Sequence, residues 1–331
     1  MRKIGLAVLG SILFSSFVFG QNNRSAVSLT GNDAATCTVP DPCRTFDVAI
    51  SKTNAGGEVI VLSSAGYGPF TVNKSISIIS PPAYHAAMAP TSGDAITVNV
   101  DNALVVLRGL TLNGSLGGNN GITFTGQTAS PSNTRLYVEN CVISGFSGNG
   151  VNFVRDGTLF ISELIARENS NAIVVDGSSG LPSSASIDHA LMEKNVYDGL
   201  KVLNAIVAIR NSIAANNGNI GFNALAFGSG TIADLTAEMC QSTLNSGYGF
   251  SAGGSSGTAQ LMVSNSVAAS NPNVGIFANS NGTVWASNDT VTRNGIGMEQ
   301  FSAGVFESRG NNTVRGNQAN TSGTITTFGP I

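Results

Sequence analysis

The sequence predicts an all-β parallel solenoid, and three observations carry that reading. First, one short pattern recurs. Aligned on a marker position it gives Arg108–Gly114, Glu139–Gly145, Ser162–Glu168, Asp188–Lys194, Arg210–Asn216, Glu238–Leu244, Ser264–Ser270, Ser287–Arg293 and Gly310–Gly316. The marker is Gly109, Asn140, Glu163, His189, Asn211, Met239, Asn265, Asn288 and Asn311, and from Asn140 onward the steps are 23, 26, 22, 28, 26, 23 and 23 residues. Second, offsets inside the repeat stay constant. Six residues past the marker stand Asn169, Asn195, Asn217, Asn245, Asn271, Asn294 and Asn317. Nine or ten past it comes a small residue and then a hydrophobic one, as in Gly199-Leu200, Gly221-Phe222 and Gly249-Phe250. A fixed core with one elastic loop per repeat is the mark of stacked repeats. Third, apolar residues alternate over short runs (Val207 and Ile209, Leu261 and Val263, Val151 and Phe153), the period of a strand rather than a helix. Two or three such strands in ~24 residues, joined by Asn and Gly corners, make one turn of a solenoid. Asn tolerates the left-handed backbone of a sharp corner, and stacked Asn side chains can bond to one another as a ladder.

Bulk composition agrees. The chain has 331 residues, 42% hydrophobic and only 11% charged, which provides a sizeable core and argues against disorder. A net charge of −3 with no basic block gives no electrostatic footprint for nucleic acid. The N-terminus carries Arg2 and Lys3, an apolar run from Ile4 to Phe19 too short to span a bilayer comfortably, and Val18-Phe19-Gly20 as a processing site. Residues 1–20 therefore read as a secretory leader, with the mature chain secreted or held in the periplasm or cell envelope and without a membrane span. In an exported protein, Cys37 and Cys43 read as a disulfide closing a short loop. Cys141 and Cys240 stand at equivalent positions four coils apart, roughly 19 Å at the strand spacing, so they are expected to remain unpaired.

The ends of the stack can be placed too. Residues 21–58 read as an N-terminal cap with its disulfide. Within them, Asp41 and Pro42 would open a short helix that Gly56 stops, with Phe46, Ala49, Ile50 and Thr53 facing inward. Glu58–Leu62 and Ser75–Ile79 would begin the stack, residues 59–317 would form the solenoid, and 318–331 would be a C-terminal cap or tail.

Over Arg108 to Asn317 the repeats resemble those of right-handed parallel β-helix proteins, the pectate-lyase-like superfamily, in which an Asn, apolar, Asn, Gly, apolar motif marks each coil. The resemblance implies a right-handed parallel β-helix, here of roughly ten coils with a short N-terminal capping helix. It says little about activity, because enzymes and non-enzymes share the motif. It implies that lyases of this type carry several Asp residues on one sheet for calcium, with an Arg or Lys base. It implies that polygalacturonases carry close Asp pairs with Gly-His and Arg-x-Lys motifs. This chain has no Asp-Asp pair, Gly-His or Arg-x-Lys.

The search for chemistry is otherwise sparse. No Walker, HExxH or CxxC pattern is present, so no cofactor or metal is expected. Gly253 to Gly257 matches G-x-S-x-G but falls in the variable loop of a coil, without the following helix that a nucleophile elbow requires. The charged columns are more informative. Glu163 and His189 take neighbouring rungs at the marker; Arg167 faces Glu193, Glu168 faces Lys194, and Asp188 shares a column with Arg210 and then Glu238. Glu163, Asp188, His189 and Glu193 are thus the candidate catalytic or cation-binding residues. The structural alternative is that opposite charges simply relieve repulsion between stacked rungs. The sheet that starts at each Gly-hydrophobic pair would turn Asn, Ser, Lys201 and Glu299 outward. Tyr137, Phe160 and Trp285 would face solvent, the first two stacking together. The expected function is an exported structural or binding protein contacting extracellular or envelope polysaccharide. A lyase or glycoside hydrolase with an atypical site near Glu163, Asp188 and His189 is the alternative.

Overall fold

A computed structural model of the chain describes residues 22–126, 133–178, 180 and 183–329; the leader expected at residues 1–20 lies outside them. The fold is a right-handed parallel β-helix with one short helix among the described residues.

The coil around Asn211 shows why the repeat is written as it is. Strand Ile206–Arg210 runs into Asn211, whose φ of 50° turns the chain through the left-handed region. Strand Ile213–Ala215 follows, and Asn216 at φ 56° makes a second turn. Asn217 then points inward, a four-residue turn leads to strand Phe222–Ala226, and residues 227–231 carry the chain to the next coil at Ile232. The first two faces are continuous through their bend as one 22-stranded sheet. The third face is an 11-stranded sheet, and all strand pairs within both are parallel.

Two jobs that the sequence appeared to combine in one Asn-lined corner are divided between positions. The left-handed bends belong to the marker, with φ between 50° and 59° from Asn140 to Asn288, and to the residue five later, such as Glu168, Lys194, Asn216 and Leu244. The Asn at offset six has no such strain and forms the ladder. Asn217 Nδ2 donates to Asn245 Oδ1 at 2.9 Å, Asn245 to Asn271 at 3.2 Å, and Asn271 to Asn294 at 3.0 Å. Each Oδ1 also accepts the backbone N–H of the preceding ladder residue, and each Nδ2 also donates to a carbonyl of the preceding coil. Every polar atom of these buried amides is thereby paired, which is the condition for burying them. The glycine before each third-face strand has a separate cause. A Cβ on Gly221 would lie 2.0 Å from Ser242 Oγ and 2.7 Å from the Gly249 carbonyl oxygen of the next coil.

A second polar column lies at the residue after the marker. Ala190 N–H donates to Ser212 Oγ, Cys240 N–H to Ser266 Oγ, Ser266 N–H to Asp289 Oδ1, and Asp289 N–H to Asn312 Oδ1. Cys141 and Cys240 sit in this column, buried and free; burial pushes both thiols up to about 11. Inside the stack, like residues overlie one another, Phe124 on Phe153 at 4.7 Å and Phe222 on Phe250 at 4.8 Å.

At the N-terminal end the structure corrects the helix boundaries. The helix spans Phe46–Lys52, with Thr45 rather than Asp41 before it. Cys43 cannot enter a helix because its N–H and C=O are already bonded to Ala26 and to Ser28, at the end of a strand, Asn22–Val27, that the sequence did not reveal. Asp41 instead accepts from the N–H and hydroxyl of Thr36, and Asp33 holds the N–H groups of Arg44 and Thr45. Phe46, Ala49, Ile50 and Thr53 are buried as expected. Cys37 and Cys43 form a disulfide. Converting both to Ser is expected to cost roughly 2–3 kcal/mol by the loop-entropy relation for so short a loop. Thermal melts with and without reductant check this: the wild type should lose several degrees on reduction and the double variant none. At the other end, Ala319–Ser322 and Ile325–Thr327 add two more rungs, pairing with Ile296–Gln300 and Val305–Ser308.

Candidate functional site

The charged cluster foreseen from the repeat exists, but as a set of corner residues on a convex edge. Glu163 and His189 occupy left-handed bends, at φ 54° each. Asp188 binds Arg210 at 3.1 Å, His189 Nδ1 at 2.9 Å and Asn211 Nδ2 at 2.9 Å. Partial desolvation raises the Asp188 pKa, and the bonds from Asn211 and Arg210 with their neighbouring charges outweigh it, leaving the carboxyl below its ordinary value. Arg167 and Glu193 are in register and pair at 3.9 Å. Arg210 and Glu238 are in register, as the shared column predicts, but no ion pair forms between them or between Glu168 and Lys194. Glu168 and Lys194 are exposed, and Arg210 is already committed to Asp188. The His189 side chain is 63% exposed, so nothing walls in a substrate beside it. Among the described residues no group of three His, Cys, Asp or Glu side chains comes together as a metal site would.

The concave feature lies on the outer side of the third sheet. A cavity of ≈ 290 Å³ is bounded by Asn223, Leu225 and Phe227 of one coil, by Tyr248, Ser251 and Gly253 of the next, and by Phe277 and Asn279 of the third. Register explains it. Down this sheet one outward column reads Lys201, Asn223, Ser251, Phe277, Glu299. The next outward column reads Leu203, Leu225, Gly253. Small residues at 251 and 253 leave a hollow between larger neighbours. This corrects the reading of Gly253 to Gly257 as a loop motif: Gly253 and Gly254 finish the strand Tyr248–Gly254, and no helix follows.

The chemistry of the wall changes along the axis. Asp94, Asn120, Asn149, Asn171 and Asp198, each two residues before the first apolar residue of its third-face strand, form a further polar column. Asn120 Nδ2 donates to Asp94 at 3.0 Å and Asn171 Nδ2 to Asn149 at 2.8 Å, while Asp198 N–H donates to Asn171 Oδ1 at 3.1 Å. From Ile220 the column turns apolar, continuing through Tyr248. The cavity sits at this switch. Buried Asp198 closes the polar side, accepting from Asn219 Nδ2 at 2.8 Å, Ile220 N–H at 3.1 Å and Asn223 Nδ2 at 2.9 Å. Burial raises its pKa despite those bonds. Because Asn223 Nδ2 is held by Asp198, its amide orientation is set, and Asn223 Oδ1 is left buried without a protein partner. On the apolar side Tyr248 packs on Phe277 at 4.6 Å, and Phe277 on Phe301 at 6.4 Å.

Sequence reading anticipated outward Asn and Ser residues on this face but missed the cavity. Its signal was present in the replacement of Asn or Asp by Ile220 and Tyr248, and in Gly253 at a position that carries Leu in the coils before. Of the aromatics singled out earlier, Tyr137 and Phe160 stack on each other at 4.6 Å, and Trp285 Nε1 donates to Glu307 at 2.6 Å. They belong to a different sheet from the cavity.

No family profile matches the sequence, and no curated protein matches it. Solved structures do match the fold. Pectate lyase Pel9A superposes with a TM-score of 0.59 at 18% identity, covering 93% of this chain and 78% of that one. The A-module of the Azotobacter vinelandii mannuronan C-5 epimerase AlgE6 gives 0.56 at 14%, covering 83% and 92%. The Dettilon tailspike protein gives 0.60 at 14%, covering 92% of this chain and 63% of that one.

Proposed function

We propose that this is an exported β-helix that binds polysaccharide on the outer face of its third sheet, without cleaving it. The observation that carries the reading is the cavity at Asn223, Ser251 and Phe277. It offers amide and hydroxyl groups on one side and aromatic rings on the other, the combination a pyranose needs for its edge and its face. Its lining contains no carboxylate, imidazole, amine or guanidinium to act as acid or base. Both oxygens of Asp198, behind the wall, are already accepting hydrogen bonds. Support also comes from the neighbours in fold, named as a pectate lyase and a mannuronan epimerase. Export is supported by the leader-like residues 1–20 and by the Cys37–Cys43 disulfide, a bond that persists in oxidising compartments.

Affinity electrophoresis of the purified protein through gels carrying a panel of soluble polysaccharides tests this. At least one polysaccharide should retard migration, with no release of reducing ends or unsaturated products on long incubation. Product release abolished by Glu163→Gln or His189→Ala in folded protein would replace this reading with the enzymatic one.

A further inference from the structure

The geometry points to an uncharged glycan as the ligand of this face, a short segment laid along the helix axis from Phe227 to Phe301 and selected against polyuronates. This rests on the glycan-binding reading and narrows it. Phe227 and Phe301 are the rings presented to solvent, 45% and 56% exposed, whereas Phe277 and Tyr248 between them are largely covered. The two rings stand three coils apart, about 14 Å along the axis at the strand spacing, and are offset by two residues along the strand direction. That separation suits an oligosaccharide lying across several coils rather than a single sugar lying in one. The hollow at Ser251 and Gly253 falls between the two rings. Exposed aromatic rings at both ends of an uncharged, mostly apolar hollow are a means of holding sugar faces without charge.

Charge decides the class. A uronate carboxylate needs a guanidinium, an ammonium or a bridging cation. None of the residues lining the cavity provides one. Lys201, one rung before Asn223 in the same column, stands in the field of Asp198, which offsets its charge. On the other side Glu299 follows Phe277 in that column and adds a negative charge.

The test is isothermal titration with two sets of hexasaccharides, neutral (β-glucan and xylan fragments) and acidic (oligogalacturonate and oligomannuronate), at low ionic strength in the presence of a chelator. At least one neutral oligomer is expected to bind, with at least tenfold weaker binding in Phe227→Ala and in Phe301→Ala. Both residues are exposed, so the variants should fold, and an unchanged melting temperature verifies that. The acidic oligomers are expected not to bind. Tighter binding of an acidic oligomer, lost in the same variants, would overturn the neutral assignment and leave the glycan reading standing. Neutral binding untouched by both variants would overturn the placement. Binding of neither set would overturn the glycan reading itself, and this inference with it.

Discussion

Replacing Asn245 by Ala is expected to destabilise the protein by roughly 3–5 kcal/mol, far more than an exposed polar-to-Ala change. Asn245 lies in the middle of the ladder and is fully buried. Its Oδ1 is the acceptor for both Asn217 N–H and Asn217 Nδ2, while its Nδ2 supplies the Ala214 carbonyl, Ser242 Oγ and Asn271 Oδ1. Removing it leaves a main-chain N–H of the preceding coil buried with nothing to bind, at about 1–3 kcal/mol for that group alone, in addition to the bonds lost. Asn317→Ala is the control. Asn317 also accepts from the preceding Asn through its Oδ1, but it is only partly buried near the end of the stack, so water takes over the lost bonds. About 1 kcal/mol is expected there. Because coils in a solenoid couple chiefly to their neighbours, hydrogen exchange should show the Asn245 defect first between residues 211 and 271. Equal destabilisation by the two substitutions would mean that the ladder does not depend on burial.

Stability should fall as pH rises from about 4 to about 7, and Asp289→Ser should remove much of that fall. Burial raises the Asp289 pKa from 3.8 to about 7, against the hydrogen bonds from Ser266 and Ser287 N–H, and no cation pairs with it. Between those two values the folded chain keeps a proton that the unfolded chain has released. The folded state therefore binds more protons, and stability declines with rising pH until both states are ionised. Asp198 and Asp234, also raised by burial, act in the same direction. Asp188 acts in the opposite sense: its pKa is lowered, so its contribution is present above 3.8 and is lost as pH falls below that. Serine suits position 289 because Ser212 and Ser266 fill the same column, accepting the N–H from the coil before and returning a bond to their own carbonyl two residues earlier. At pH 8 the substitution should gain on the order of 2–4 kcal/mol relative to its effect at pH 4. Melting curves at the two pH values measure it. Parallel profiles for the two proteins would show that Asp289 is ionised at little cost.

How much of this was readable in the sequence depended on what repeats. The coil, its strands, the offset-six Asn column and the register of Arg167 with Glu193 follow from constant spacing, because stacked parallel strands place equal offsets over one another. The bends were legible as Asn, but the strain they impose was not: Glu163, His189 and Met239 adopt the same left-handed conformation without the residue type that announces it. That is why the corner residues attracted attention as chemistry when the backbone explains their placement. The helix start was misplaced because the bonds of Cys43 to Ala26 and Ser28 are long-range pairings that no local pattern encodes. The cavity escaped notice for the opposite reason. It is made by a departure from the repeat at Ile220, Tyr248, Ser251 and Gly253, and a small residue in one column means something only beside the larger residues above and below it.

The most direct test of the glycan face is hydrogen–deuterium exchange with and without a saturating neutral oligosaccharide. Slowing confined to the turns around the hollow, residues 227–231, 255–257 and 279–281, is the predicted result. Slowing instead at 163–168 and 188–194, or no change anywhere, would contradict it.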